Sequence, residues 1–146
     1  MKKLLPIIFI LILSSCSKEV PLEVLPEQLV VRNETSYLVN STEPFTGTTV
    51  KFHENGQLEY KRNFKDGIKD GLHESYWENG QLRYKGNWKD GELDGLYESY
   101  WENGQLEYKG NFKDGIKDGL HERYYEKGQL EYRVFYKDGI EDGLVE

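Results

Sequence analysis

Glycine recurs through the second two thirds of the chain on a fixed lattice. Gly47, Gly71, Gly95, Gly119 and Gly143 are 24 residues apart, and so are Gly56, Gly80, Gly104 and Gly128, and Gly67, Gly91, Gly115 and Gly139. Glycines this frequent interrupt any helix, since each costs about 1 kcal/mol against alanine. A period of this length specifies a stacked array in which each unit buries its apolar face only against its neighbours. Glu54–Glu74 and Glu102–Glu122 are identical except for Arg62 against Gly110, so the array grew by copying 48 residues, a pair of units, at a time.

Each unit reads as two strands. Leu72–Trp77 and Gln81–Trp88 alternate and are rich in aromatics, with Glu78-Asn79-Gly80 between them. Asn-Gly between alternating runs is a strong hairpin signal. A two-residue turn would pair Trp77 with Leu82. A three-residue loop with Gly80 in the left-handed region would pair Tyr76 with Leu82 and gather Leu72, Tyr76, Leu82, Tyr84 and Trp88 on one face. The second register is preferred because these positions vary least between units. It leaves His73, Ser75, Arg83, Lys85 and Asn87 on a solvated face. Gly86 and Gly110 then lie among core aromatics, where a missing side chain leaves room for a neighbouring ring. The fold class expected is all-β, an elongated antiparallel meander of 24-residue hairpin repeats over 45–146, with units starting near 47, 71, 95 and 119 and a partial one at 143.

The chain opens with two lysines, an apolar run from Leu4 to Leu13 and small residues ending at Cys16, the only cysteine. This has the form of a secretory signal peptide over 1–15, too short in its apolar part to span a bilayer. Leu13-Ser14-Ser15-Cys16 resembles the lipobox of bacterial lipoproteins. That resemblance implies cleavage before Cys16, lipid attachment there through a thioether-linked diacylglycerol and an N-acyl chain, and residence in the bacterial cell envelope. Ser17, where an inner-membrane signal would carry Asp, implies sorting to an outer membrane if the cell has one. Residues 16–28 read as a lipidated N-terminus and tether, and 29–44 as a capping hairpin. Without Lys2 and Lys3 the formal charge falls from −7 to −9, a surface that repels nucleic acid. Membrane association is therefore expected through acyl chains, with no nucleic-acid partner.

With aromatic, Glu-Asn-Gly, leucine, aromatic, glycine, aromatic, Lys-Asp-Gly and a final Asp-Gly in order, Tyr76–Leu96 resembles the bacterial variant of the MORN repeat. Pro44-Phe45-Thr46-Gly47 is similar to the opening of the first repeat in such proteins. The resemblance covers Pro44–Glu146 and implies one hairpin per repeat without a globular centre. Proteins with these repeats are commonly labelled YwqK-family antitoxins, and MORN repeats also precede the catalytic domain of some phosphatidylinositol phosphate kinases. Export as a lipoprotein fits a cytosolic antitoxin poorly. A kinase domain would need more chain outside the repeats, and a glycine-rich nucleotide loop with its lysine.

Candidate chemistry is sparse. Asp66-Gly67-Ile68-Lys69-Asp70-Gly71 and its copies offer two carboxylates each, against the six to eight oxygens of a calcium site, and read as turns. His73 and His121 are two repeats apart, roughly 19 Å in a regular meander, so no zinc site joins them. Every acid recurs as part of a repeat and no serine is matched to a histidine, so neither metal, nor cofactor beyond the lipid on Cys16, nor enzyme activity is expected. The candidate binding surface is the row Trp77, Trp101 and Tyr125, with His53 in its place in the first repeat. These rings either form an exposed ladder about 10 Å apart or close a small second core. The function expected is a lipoprotein whose repeats bind or scaffold a partner protein. Alternatives are an antitoxin-like inhibitor and an accessory subunit of a cell-envelope enzyme.

Overall fold

The computed structural model describes residues 22–144; Cys16 and the signal sequence lie outside them. Strands β1 (Glu23–Val24), β2 (Leu29–Arg32), β3 (Thr35–Leu38), β4 (Gly47–Phe52), β5 (Leu58–Lys65) and β6 (Ile68–Tyr76) are followed by β7 (Leu82–Lys89), β8 (Glu92–Tyr100), β9 (Leu106–Lys113), β10 (Ile116–Tyr124), β11 (Leu130–Lys137) and β12 (Ile140–Leu144). From β4 to β12 consecutive strands pair antiparallel in one sheet, with β1 added parallel to β4; β2 and β3 form a separate hairpin. The meander of hairpin repeats is thus observed.

Two turn chemistries alternate along it. Lys65 pairs with Ile68 across Asp66-Gly67, both at positive φ (49° and 79°), which is a two-residue type I′ turn. Its handedness matches the strand twist, and Asp and Gly are residues that tolerate it. The Asn-Gly tips are built otherwise. Tyr76 pairs with Leu82, Trp77 and Gln81 close the loop backbone to backbone, and Gly80 sits at φ 82°. That is the three-residue loop. The second Asp-Gly of each connector does not turn the chain. Phe64 pairs with Lys69 but Arg62 with His73, so Asp70-Gly71-Leu72 bulge opposite Asn63, whose side-chain amide donates to the Leu72 carbonyl.

The face assignment needs correction, and a bulge is the reason. Next to the tip, Tyr76 pairs with Leu82 but Ser75 with Tyr84, which leaves Arg83 as an extra residue. One extra residue exchanges the faces of a strand relative to its partner. His73 and Ser75 therefore join Tyr84 and Trp88 on the inner face, where His73 is 2% exposed and its ring stacks on Trp88 at 4.5 Å. Leu72 and Tyr76 are on the outer face, and Leu72 is 40% exposed.

The inner face is a spine of flat rings. Phe45 meets Phe64, Tyr97 meets Phe112, and His121, fully buried, lies between Phe112 and Tyr136. Across this row large and minimal residues alternate: His73 pairs with Gly86, Gly86 with Tyr97, Tyr97 with Gly110 and Gly110 with His121. A Cβ on Gly86 would lie 2.9 Å from the Tyr97 ring, and one on Gly110 would lie 2.3 Å from His121 Nδ1. The glycines thus make the room the rings fill. A single-layer sheet has no second layer to pack against, so its apolar burial must come from neighbours within one face.

On the outer face register alone produces a charge ladder. Lys61, Glu74, Lys85, Glu98, Lys109, Glu122 and Arg133 succeed one another on adjacent strands. Lys85–Glu98 (2.8 Å) and Arg133–Glu122 (2.6 Å) are closed ion pairs. Burial by itself would raise the Glu98 pKa, but hydrogen bonds from Lys85 and Tyr100 hold it below the usual carboxylate range. Each exposed cross-strand pair contributes roughly 0.2–1 kcal/mol.

The β2–β3 hairpin closes the first repeat. Ser36 N–H donates to the Gly67 carbonyl, Gly67 N–H to Phe45 and Phe45 N–H to Ser36. The stretch expected to be a free tether is part of the domain from Leu22 on. Its carbonyl accepts from Thr48, Glu23 and Val24 pair with β4, and Val24 is buried.

Candidate interaction surfaces

The two long edges of the array, where the turns lie, are closed by backbone and side-chain bonds between successive repeats. On the connector edge Gly91 N–H donates to Lys69, Gly115 to Leu93 and Gly139 to Lys117, the same step that joins Gly67 to Phe45. On the tip edge a ring N–H of each hairpin reaches a carbonyl of the next. His53 Nε2 donates to Tyr76 (2.9 Å), Trp77 Nε1 to Tyr100 (3.1 Å) and Trp101 Nε1 to Tyr124 (3.1 Å). Beside them Asn55, Asn79 and Asn103 donate to Glu78, Glu102 and Glu126, while each Asn Oδ1 accepts from the glutamine two residues on.

Trp77 and Trp101 are therefore half-buried clasps between tips, and Arg83 lies over the Trp77 ring at 4.7 Å. Tyr125 alone of the row is 52% exposed, and no further tip stands beside it among the described residues. A shared chemistry was visible in the sequence: the three residues at this position in the first three repeats are those whose rings carry an N–H. The asparagine clasp is equally specific, because its amide presents a donor and an acceptor on separate atoms, one for the next tip and one for its own loop. Asn79→Asp removes the donor to the Glu102 carbonyl and sets an acid beside it; we expect a loss of about 1 kcal/mol in urea unfolding, within the range for one hydrogen bond, with an unchanged circular dichroism spectrum.

The inner-face histidines are structural. His73 Nε2 donates to the Asn63 carbonyl (2.8 Å) and His121 Nε2 to the Asn111 carbonyl (2.7 Å), which fixes the tautomer of each; His121 Nδ1 accepts from the Tyr108 hydroxyl. Burial is the main cause that lowers both pKa values, that of His73 to about 4. Among the described residues no group of three or more His, Cys, Asp or Glu is arranged to hold a metal.

The family described as MORN repeat variant matches residues 45–66, 69–90, 93–114 and 117–138, together more than half of the chain. The chain belongs to this family. Each matched segment opens at the connector residue that receives the glycine N–H of the next repeat, Phe45, Lys69, Leu93 or Lys117, and closes inside the following type I′ turn. One MORN repeat is therefore one hairpin together with half of its links to its neighbours. A comparison with curated proteins returns no significant match.

With both of these edges engaged, two faces remain open. The outer face carries Leu72, Leu96 and Leu120 at equivalent positions, with Phe135 paired to Leu120, each 36–40% exposed. Sequence reasoning placed Leu72 in the core because leucine there fits an apolar alternation; only the bulges reveal the row as surface.

Proposed function

We propose that this MORN-repeat chain is a lipid-anchored protein of the bacterial cell envelope that works by binding, and that it holds a partner protein against its outer face. The observation that carries this reading is the row Leu72, Leu96 and Leu120, repeated on every second strand, with Phe135 beside Leu120, all apolar side chains open to solvent. Apolar rows bordered by charge are how binding sheets combine affinity with orientation, and here the Lys–Glu ladder runs alongside. Tyr125 extends the surface at the tip edge. Leu13-Ser14-Ser15-Cys16 supports the anchor, since a lone thiol in an exported chain has no intramolecular partner and two or three acyl chains hold a protein almost permanently. The recurrence of the connector aspartates and tip glutamates along the array favours recognition over catalysis, which needs one unique constellation.

Membrane-bound chain is expected to crosslink to its partner through a photoreactive residue at position 96. Leu72→Glu with Leu120→Glu should abolish that product at unchanged melting temperature. In Cys16→Ala, palmitate incorporation and membrane retention should both be lost. A crosslink indifferent to the two glutamates would move the partner off this face, and a retained membrane fraction in Cys16→Ala would remove the anchor.

A further inference from the structure

The duplicated stretches differ at a single residue, and that residue lies on the inner face beside a tyrosine. Register sets a row across the tip half of the sheet: Lys51, Tyr60, Ser75, Tyr84, Ser99, Tyr108, Arg123 and Tyr132 on successive strands. Tyrosines thus recur every second strand, about 10 Å apart, with small or basic residues between. In the first copy the Arg62 guanidinium covers the Tyr60 ring at 3.9 Å. The second copy has Gly110 instead, and around Tyr108 a cavity of about 380 Å³ opens, lined by Ser99, Glu107, Tyr108, Lys117, Arg123 and Tyr132. Its volume is in the lower part of the range for small-ligand sites.

The chemistry of this lining differs from the equivalent place one repeat earlier. Lys117 and Arg123 stand where the third repeat has Leu93 and Ser99. Lys117 makes no ion pair among the described residues; its Nζ lies over the Tyr136 ring at 4.6 Å and the Tyr108 ring at 5.9 Å. Arg123 is held by long contacts, 3.6 Å to Glu107 and 3.3 Å to Glu131, and its side chain is 42% exposed. Glu107 also accepts from the Ser99 hydroxyl at 3.2 Å. Two flat rings, two cations and a carboxylate with a spare acceptor therefore line one open depression.

We propose that this depression binds an acidic saccharide, with the carboxylate of a sugar on Lys117 and Arg123, its apolar face on Tyr108 and Tyr132, and a hydroxyl donating to Glu107. Tyrosine offers a broad apolar ring with a polar end, suited to the CH face and hydroxyls of a sugar. The bidentate fork of arginine suits a carboxylate. The net negative charge of the chain opposes approach only weakly at physiological salt, where the Debye length is about 8 Å. The tyrosine row gives a longer glycan further rings to lie on, with Ser99 leaving Tyr84 accessible from Tyr108. This site is on the opposite face from the protein surface proposed above and does not depend on it.

Calorimetric titration of the purified full chain with trigalacturonate, maltotriose and inorganic phosphate tests the assignment. Trigalacturonate should bind at least tenfold more tightly than maltotriose, and phosphate should not displace it at equal concentration. Lys117→Leu and Arg123→Ser place residues that other repeats already carry at these positions, so the sheet should keep its melting temperature, and each should weaken trigalacturonate binding at least tenfold. No binding at millimolar concentration, equal binding of maltotriose, displacement by phosphate, or affinity unchanged in both variants would each overturn it.

Discussion

Gly67→Ala is expected to lower the unfolding free energy by about 3 kcal/mol, and Gly56→Ala by only about 1 kcal/mol, although both glycines follow a polar residue in a turn and both hold positive φ (79° and 83°). The conformational part is shared: an L side chain in the left-handed region costs roughly 1–2 kcal/mol. What differs is the surroundings. A Cβ on Gly56 meets nothing within 4 Å, whereas one on Gly67 would lie 2.3 Å from Thr35 Cγ2 and 2.8 Å from the Ser36 carbonyl oxygen. Backbone cannot step aside as a flexible side chain can, and overpacking of this kind typically costs about 1–3 kcal/mol. The same substitution pushes the β2–β3 hairpin away from a residue that both donates to and accepts from this part of the fold. Urea unfolding of the two variants checks the expectation. Equal losses would mean that the hairpin does not seal the first repeat in solution.

The second large effect is loss of stability in mild acid. His73 lies against Trp88 and Phe64, with Arg62 and Lys69 as the cations near it; His121 lies among Tyr108, Phe112 and Tyr136, with Lys117 and Asp118 nearby. Burial disfavours the charged imidazole most. The backbone carbonyl bonded to each Nε2 works the other way, and the neighbouring cations add to the lowering. Since the folded pKa is below the unfolded one, the unfolded chain binds more protons between these values, and stability rises with pH across that window. It is complete above about pH 6.5 and falls away toward pH 4. For His73 alone, a pKa of about 4 in place of 6.5 corresponds to about 3 kcal/mol at roughly 1.36 kcal/mol per pH unit; His121 adds in the same direction. Thermal melts from pH 7.5 to 4 should show this decline. His73→Tyr, which installs the residue found at the equivalent Tyr97, should make the decline shallower. An identical slope in that variant would show that other groups carry the acid sensitivity.

Much of the array was legible in advance because its constraints are local. The Asp-Gly pairs, the Asn-Gly tips and the 24-residue lattice each encode a backbone geometry that few residues satisfy, and the tip loop with Gly80 in the left-handed region follows from them. Gly86 and Gly110 likewise read correctly as space for rings. The faces of β6, β8 and β10 did not, since a bulge at Arg83 or its equivalents shifts alternation by one residue whose identity does not announce it. His73 and His121 illustrate the consequence: polar by type, they are the most buried large side chains of the described sheet. The indoles at Trp77 and Trp101 were recognised as a row, but their bonds to carbonyls 23 residues away exist only once the hairpins are stacked.

The sequence by itself determined the repeat length, the hairpins, the three-residue tip loop and the single layer, because glycine, aspartate and asparagine act on the few bonds around them. Only the tertiary structure decided which side chains each face presents and how neighbouring hairpins are tied. A strand's alternation is meaningful relative to its partner, and one unpaired residue between two strands is enough to exchange inside for outside.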